Sequence, residues 1–462
     1  MGTKPIHLVD ELRAGRASVD TGATWRRAQL EGMRRMLTER EAEFVEALRV
    51  DLGKHPVESE LTEIGFVLAE IDHALRRLTK WMRPRRFRAP LALAPARAKL
   101  LPEPLGVVLI IAPWNYPVQL CLAPMIGALA AGNALVLKPS EVAPATSAAL
   151  ARWIPEYLDD RLVRVVEGAV PETTALLAQR WDHIFYTGNE SVARVIADAA
   201  AKHLTPTTFE LGGKSPTFVD GTGDLRAVAA RIAWAKFVNA GQTCVAPDYV
   251  LVTPDAREQL LTELSTAVEN LFGSDPATSD SYGRIISERH FARLKDMLGD
   301  GQLALGGESD MGQRYIAPSI LTDVSLDAPI MHEEIFGPLL PVITVPDTEA
   351  AIAFINERPT PLALYVYSAS KAVRRAFEQR TSSGALDVNV GLVHMSVPDL
   401  PFGGVGASGS GAYHGRVGFE TFSHLKPVVT KALRPDTLKL IYPPYTAQKA
   451  RLARGLLRRL SK

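Results

Sequence analysis

The chain has 462 residues, with 52 Lys plus Arg against 51 Asp plus Glu, a formal charge of +1 and a hydrophobic fraction of 47%. That length suggests roughly three domains with substantial cores. The composition excludes disordered and collagen-like chains, and the charge balance argues against a dedicated nucleic-acid binder.

The spacing of apolar residues predicts helices over residues 24–82, with Leu30, Met33, Leu37, Phe44, Val45 and Leu48 on one face and Leu61, Ile64, Leu68, Ile71 and Leu75 on another. Arg83–Leu101 is rich in Pro and Arg and then alternates weakly, as a linker or exposed hairpin does. From Leu105 the pattern becomes α/β. The apolar run Leu105–Ala112 suits a strand buried on both faces. A helix to Ala131, a strand at Ala134–Leu137, a helix at Ala143–Tyr157 and strands at Leu162–Val166 and His183–Tyr186 follow. A second α/β run is expected to begin near Thr207–Glu210 and to continue to about Val393. The alternation implies mostly parallel, doubly wound sheets.

Several motifs have bland explanations. Gly404-Val-Gly406-Ala-Ser-Gly409 fits GxGxxG, but no βαβ unit follows it, so a loop with many left-handed positions is the better account. His332-Glu-Glu-Ile-Phe336 starts like HExxH, yet Phe336 occupies the second ligand position, and no metal site is expected. Arg83, Arg85, Arg86 and Arg88 read as a solvated segment. Leu452, Leu456, Leu457 and Leu460, flanked by arginines, fit one face of a tail helix. Docking, fraying and peripheral membrane contact all remain open for it. The two cysteines, Cys121 and Cys244, cannot build a disulfide framework. With no apolar signal core in the first residues and no run of about 18 apolar residues, a reducing, cytoplasmic location is expected.

The informative feature is a constellation: Ala112-Pro-Trp-Asn-Tyr-Pro117 after an apolar strand, Phe209-Glu-Leu-Gly-Gly-Lys214 in a glycine turn, and Asn239-Ala-Gly-Gln-Thr-Cys244 some thirty residues later. Sites in α/β folds gather at the carboxyl ends of parallel strands.

These segments, with Leu137-Lys-Pro-Ser-Glu141, Phe185-Tyr-Thr-Gly-Asn189, Glu334-Ile-Phe-Gly-Pro338 and Pro401-Phe-Gly-Gly-Val-Gly406, resemble the NAD(P)-dependent aldehyde dehydrogenase superfamily, in the family's order. Tyr186-Thr-Gly-Asn189, Gly411-Ala-Tyr-His-Gly415 and Thr421-Phe-Ser-His424 are similar to its class 3 branch, which includes fatty and aromatic aldehyde dehydrogenases. The resemblance implies an α/β fold of two doubly wound Rossmann-like open sheet domains plus a small β bridging element. In this sequence these are a cofactor domain over 1–82 and 106–209, a catalytic domain over 210–394, a bridging and oligomerisation element over 83–105 and 395–435, and a basic tail over 436–462. Ala193 departs from the glycine many members keep in the cofactor helix.

The resemblance also implies roles. Cys244 would be the nucleophile, Glu210 the general base that activates water, and Asn115 an oxyanion donor together with the Cys244 N–H. A free thiol is only about 3% thiolate at pH 7. A helix N-terminus or the nicotinamide charge is expected to lower the pKa of Cys244. The cofactor, NAD with NADP possible, would be held by Trp114, Lys138, Glu141, Thr187, Gly188, Asn189, Val192, Leu211, Gly212, Glu334 and Phe336. A free Glu141 favours the ribose hydroxyl of NAD, and Lys138 softens that preference. Tyr116, Phe66 and Trp234 would line a channel for aromatic or medium- to long-chain aldehydes, and a homodimer is implied. The alternatives are a coenzyme A-acylating relative, which usually lacks this Glu, and a non-catalytic binding protein on the same scaffold.

Overall fold

The computed structural model describes residues 7–90 and 93–460, apart from the side chains of residues 440 and 456–460. Two large sheets organise it. The first has six strands in the order Gly409–Ser410, Thr207–Leu211, His183–Gly188, Val107–Ile111, Ala134–Lys138, Val163–Val165. All neighbours are parallel except the short edge strand Gly409–Ser410, which runs antiparallel to Thr207–Leu211. Val107–Ile111 and Ala134–Lys138 are buried along their whole length, as strands covered by helices on both faces must be. Helix Gln119–Ala131 is apolar all round and buried all round, between the sheet and helices Ala23–Glu39, Gly65–Met82 and Gly415–Thr421.

The second sheet has seven strands in the order Gln302–Leu305, Ser319–Thr322, Leu339–Thr344, Tyr249–Val252, Pro216–Val219, Ala363–Tyr367, Ala385–Val388. Only the edge strand Gln302–Leu305 is antiparallel. A third, three-stranded antiparallel sheet joins Arg85–Phe87 and Ser423–Lys431 to the two edges of Ala96–Pro104. The hairpin expected in the Pro- and Arg-rich stretch is therefore present. Its arginines are exposed, with Arg85 facing Glu420 at 3.5 Å.

The second run does not begin at Thr207. Strand Thr207–Leu211 is hydrogen-bonded into the first sheet, and the second sheet begins at Pro216. A buried apolar strand carries no mark of the sheet it joins, and the crossover from His183–Gly188 through helix Glu190–Ala201 returns it to the first, parallel to His183–Gly188. Gly212–Ser215 is thus the bridge between the sheets.

Among the described residues no helix is long and apolar enough to cross a membrane. The tail forms helix Ala447–Leu460. The side chains of Leu456, Leu457 and Leu460 lie outside the described residues, so the proposed apolar face is untested there.

Candidate active site

Four adjacent strands of the first sheet end at one edge. The register sets Ile111 beside Lys138 and Tyr186, and Thr187 beside Glu210. Trp114, Asn115, Lys138, Thr187, Gly188 and Glu210 therefore converge at the carboxyl ends of parallel strands, where the sequence places them. The second sheet contributes from its opposite end. Cys244 precedes strand Tyr249–Val252, and Glu334 precedes Leu339–Thr344. The carboxyl-end rule thus holds for the first sheet and is reversed in the second, because the Gly212–Ser215 bridge carries the chain directly from the end of one strand to the start of the next.

The loop that carries Cys244 is held rigidly. Asn239, Ala240 and Gly241 all adopt left-handed backbone (φ 53°, 51° and 74°). Only glycine fits at 241, where an added Cβ would lie 2.3 Å from the Gly337 carbonyl oxygen. Gln242 is fully buried. Its Nε2 donates to the Asn239 and Arg284 carbonyls at 3.0 Å each, and its Oε1 accepts from the Ile286 N–H at 2.9 Å. The Asn115 amide donates to the Gln242 carbonyl at 3.1 Å, leaving its second N–H to be used elsewhere, and Tyr116 and Thr243 share a hydroxyl hydrogen bond of 2.8 Å.

Cys244 is half-buried and unpaired. Its thiol is pushed well above the ordinary range, first by burial and then by the carboxyls of Glu210 and Glu334. The N–H groups of Cys244 and Val245 oppose this. The expectation that a helix N-terminus would lower this pKa is corrected: no helix begins at Cys244, and two carboxyls face it. Glu210 is buried, and neither oxygen has a hydrogen-bond partner among the described residues. Burial, then Glu334, raise its carboxyl to about 8, and the nearby Cys244 thiol draws it partly back. A buried carboxyl left without donors, beside a thiol, is poised to exchange a proton near neutral pH.

The glycine-rich loop has a structural task beside this site. Leu211 N–H donates to the Ser408 carbonyl at 3.1 Å, and Gly409 pairs with Glu210 across the ladder. An added Cβ at Gly409 would meet the Phe209 carbonyl at 2.3 Å. The GxGxxG pattern therefore closes the sheet edge next to Glu210.

Several cofactor candidates come together. Lys138 is buried and donates to the Pro139 carbonyl at 2.7 Å and to Glu141 at 3.0 Å, so Glu141 is half-exposed but paired rather than free. Thr187 has a buried hydroxyl without a partner. Asn189 caps helix Glu190–Ala201, accepting from the Val192 N–H at 2.9 Å, and leaves Val192 and Val195 exposed on its first turns. Ala193 packs inside this helix's buried face.

Glu334 and Phe336 lie on a strained loop. Phe336 is left-handed at φ 49°, and its ring meets Trp114 edge-on at 5.3 Å. Gly212 leaves room for the Glu334 carboxyl, since a Cβ there would lie 2.1 Å from Glu334 Oε2 and displace it. Burial, then Asp248, raise Glu334 to about 8. Three charged residues that sequence reading missed clamp this loop. Lys214 pairs with Asp248 and donates to the Ile330 and Glu333 carbonyls (2.7 and 2.8 Å). Asp248 accepts the Ile335 N–H at 3.1 Å, and Arg293 donates to the Glu334 (3.1 Å) and Ile335 carbonyls. His290, 4.9 Å from Trp114 and lowered to about 4 mainly by burial, was also missed. Only Lys214 carried a signal, as the last residue of the Glu210–Lys214 motif.

The channel candidates separate. Tyr116 is buried against the Cys244 loop, and Phe66 and Phe402 each pack edge-on to His414, at 5.6 and 5.7 Å. Trp234 is 42% exposed and makes no ring–ring contact among the described residues. No group of three metal-ligating side chains occurs among the described residues.

The facing ends of the two sheets bring a thiol and a buried carboxyl together, an arrangement suited to covalent catalysis on a carbonyl substrate. The chain belongs to the aldehyde dehydrogenase family, whose model matches residues 13–428. It is 47% identical over 448 residues to aldehyde dehydrogenase family 3 member B1 of Rattus norvegicus, covering 96% of each chain. It is 46% identical to the rat "Aldehyde dehydrogenase, dimeric NADP-preferring", covering 96% of this chain and 99% of that one. A solved structure described as the substrate-bound state of Staphylococcus aureus AldH superposes with a TM-score of 0.95 at 40% identity, covering 98% of this chain and 99% of that one. The protein is an NAD(P)-dependent aldehyde dehydrogenase that oxidises an aldehyde to the carboxylic acid.

Proposed function

We propose that Cys244 attacks the aldehyde carbon, Asn115 and the Cys244 N–H receive the oxyanion, and Glu210 activates the water that cleaves the resulting thioester. The observation that supports this reading is the orphaned, buried Glu210 carboxyl beside the Cys244 thiol. In the first step the thiol passes its proton to the ionised form of the neighbouring Glu210 carboxylate, which returns it to solvent before deacylation, and the thiolate adds to the carbonyl carbon. Bound NAD(P)+ supplies the hydride acceptor for the oxidation. In the last step Glu210 takes a proton from water, the hydroxide adds to the thioester, and the acid leaves as the Cys244 sulfur departs. A base of pKa about 8 is well matched to this task, since it is a stronger base than an ordinary carboxylate.

The residues present fit the dinucleotide. The unpartnered Thr187 hydroxyl and Glu334 Oε1 await donors or acceptors, the capped helix at Asn189 presents its N-terminus to a pyrophosphate, and Gly212 leaves room at Glu334. Trp114, Leu211 and Phe336 supply apolar walls. The Lys138–Glu141 pair supports use of both NAD and NADP, because Lys138 offsets the carboxylate that would repel a 2′-phosphate.

Aromatic or medium- to long-chain aliphatic aldehydes are the proposed substrates, supported by the Tyr116, Phe66 and Phe402 rings, with Trp234 toward solvent. The proposed assembly is a homodimer, supported by the exposed outer strand Arg85–Phe87 of the small sheet. A cytoplasmic location is supported by the two unpaired cysteines. The domain division we adopt follows the sheets: the first sheet and its helices serve the cofactor, the second carries the catalytic thiol, and strands Arg85–Phe87, Ala96–Pro104 and Ser423–Lys431 form the bridging element. The test is NADH and NADPH formation over an aldehyde panel, with product analysis for acid. Turnover that requires coenzyme A would favour the acylating alternative.

A further inference from the structure

Lys54 and Glu63 form an ion pair fully shielded from solvent. Lys54 precedes the short helix Pro56–Ser59, and Glu63 lies within the π-helical turn Glu60–Ile64, where it is buried. Glu63 Oε2 accepts the N–H groups of Val118 at 3.0 Å and Gln119 at 2.9 Å, at the start of helix Gln119–Ala131. The Lys54 ammonium donates to the Asn115 carbonyl at 3.3 Å and stands 3.9 Å from the centre of the Tyr116 ring. The pair therefore grips both ends of residues 115–119. That segment is in turn bonded to the nucleophile loop, through the Asn115 amide on the Gln242 carbonyl and the Tyr116 hydroxyl on Thr243. The Asn239 amide adds a second donor to the Asn115 carbonyl, at 2.8 Å. Apolar residues of similar volume often stabilise a core as well as a buried ion pair does. Stability alone thus gives little reason for a charged pair at this place, whereas its four contacts on the Asn115 segment give a direct one.

We infer that Lys54 and Glu63 are positioning residues for aldehyde oxidation, fixing the Asn115 amide where the thiohemiacetal oxygen gains charge. The inference rests on the proposed role of Asn115 as oxyanion donor. A double-mutant cycle separates the two ideas. Asn115→Ala, Lys54→Met and the double variant are compared by kcat/KM for one aldehyde, with cofactor KM and thermal midpoint recorded for each. Asn115→Ala is expected to cost about 10²- to 10³-fold. Lys54→Met is expected to cost at least about tenfold, with cofactor KM changed by less than about twofold and the double variant within about threefold of Asn115→Ala alone. Glu63→Gln, which keeps the side-chain shape, runs the same cycle if Lys54→Met does not fold. Losses that multiply in the double variant would overturn the inference and leave the role of Asn115 standing. Wild-type rate in Asn115→Ala would overturn both.

Discussion

The raised carboxyl of Glu210 makes a quantitative demand on the pH dependence of turnover. Its pKa of about 8 follows first from burial and second from the Glu334 carboxyl. The base acts only when deprotonated. With a pKa of 8 the ionised fraction is about 9% at pH 7 and about 91% at pH 9, so deacylation-limited kcat should rise about tenfold between those values. An ordinary Glu, near 4.3, would be fully ionised throughout and give a flat profile. The assay is steady-state NADH formation from pH 6 to 9.5 with a non-ionising aldehyde, alongside the pre-steady-state burst to confirm that deacylation limits the rate. Removing the neighbouring charge in Glu334→Gln should move the inflection to lower pH, because like-charge repulsion is the second cause of the shift. A flat profile in the wild type, or an inflection unmoved in Glu334→Gln, would refute the argument.

Three further outcomes follow from the cofactor side. Gly212→Ala places a methyl carbon 2.1 Å from Glu334 Oε2, so Glu334 must move, and cofactor KM should rise about tenfold, while thermal stability, followed by melting, changes little. Arg293→Met removes two charge-assisted hydrogen bonds from the strained Glu334–Phe336 loop, each worth about 1.5–3 kcal/mol; the cofactor dissociation constant, measured by nucleotide fluorescence quenching, should increase more than tenfold. Glu141→Ala leaves Lys138 without its carboxylate partner, and the ratio of kcat/KM for NADP to that for NAD should rise severalfold in steady-state assays.

What the sequence reveals here depends on how local each signal is. The strands Val107–Ile111 and Ala134–Lys138 announce themselves as short apolar runs, and the motifs around Asn115, Glu210 and Cys244 stand out as a constellation, although Glu210 lies within strand Thr207–Leu211 and Cys244 before the start of a strand rather than after its end. The sheet to which Thr207–Leu211 belongs is not local information, since any buried strand satisfies the same pattern. The pKa of Cys244 is not local either: it is set by Glu210 and Glu334, which meet the thiol only after both sheets have assembled. The clamp made by Lys214, Asp248 and Arg293 combines charged residues far apart in the chain, and the Lys54–Glu63 pair, close in sequence, meets the Asn115 segment 55–61 residues away. Each of them alone reads as a surface side chain. The GxGxxG at Gly404–Gly409 lacks the following βαβ unit a phosphate loop needs, and its part in closing the sheet beside Glu210 emerges only from the ladder.

The division of labour between Cys244 and Glu210 is the centre of this account, and single-turnover kinetics of Glu210→Gln with mass spectrometry of the quenched protein test it most directly. The prediction is one NADH per active site followed by a stall, with the acyl group of the aldehyde carried on the peptide that contains Cys244. Continued turnover at the wild-type rate, or an acyl group on any other residue, would contradict it.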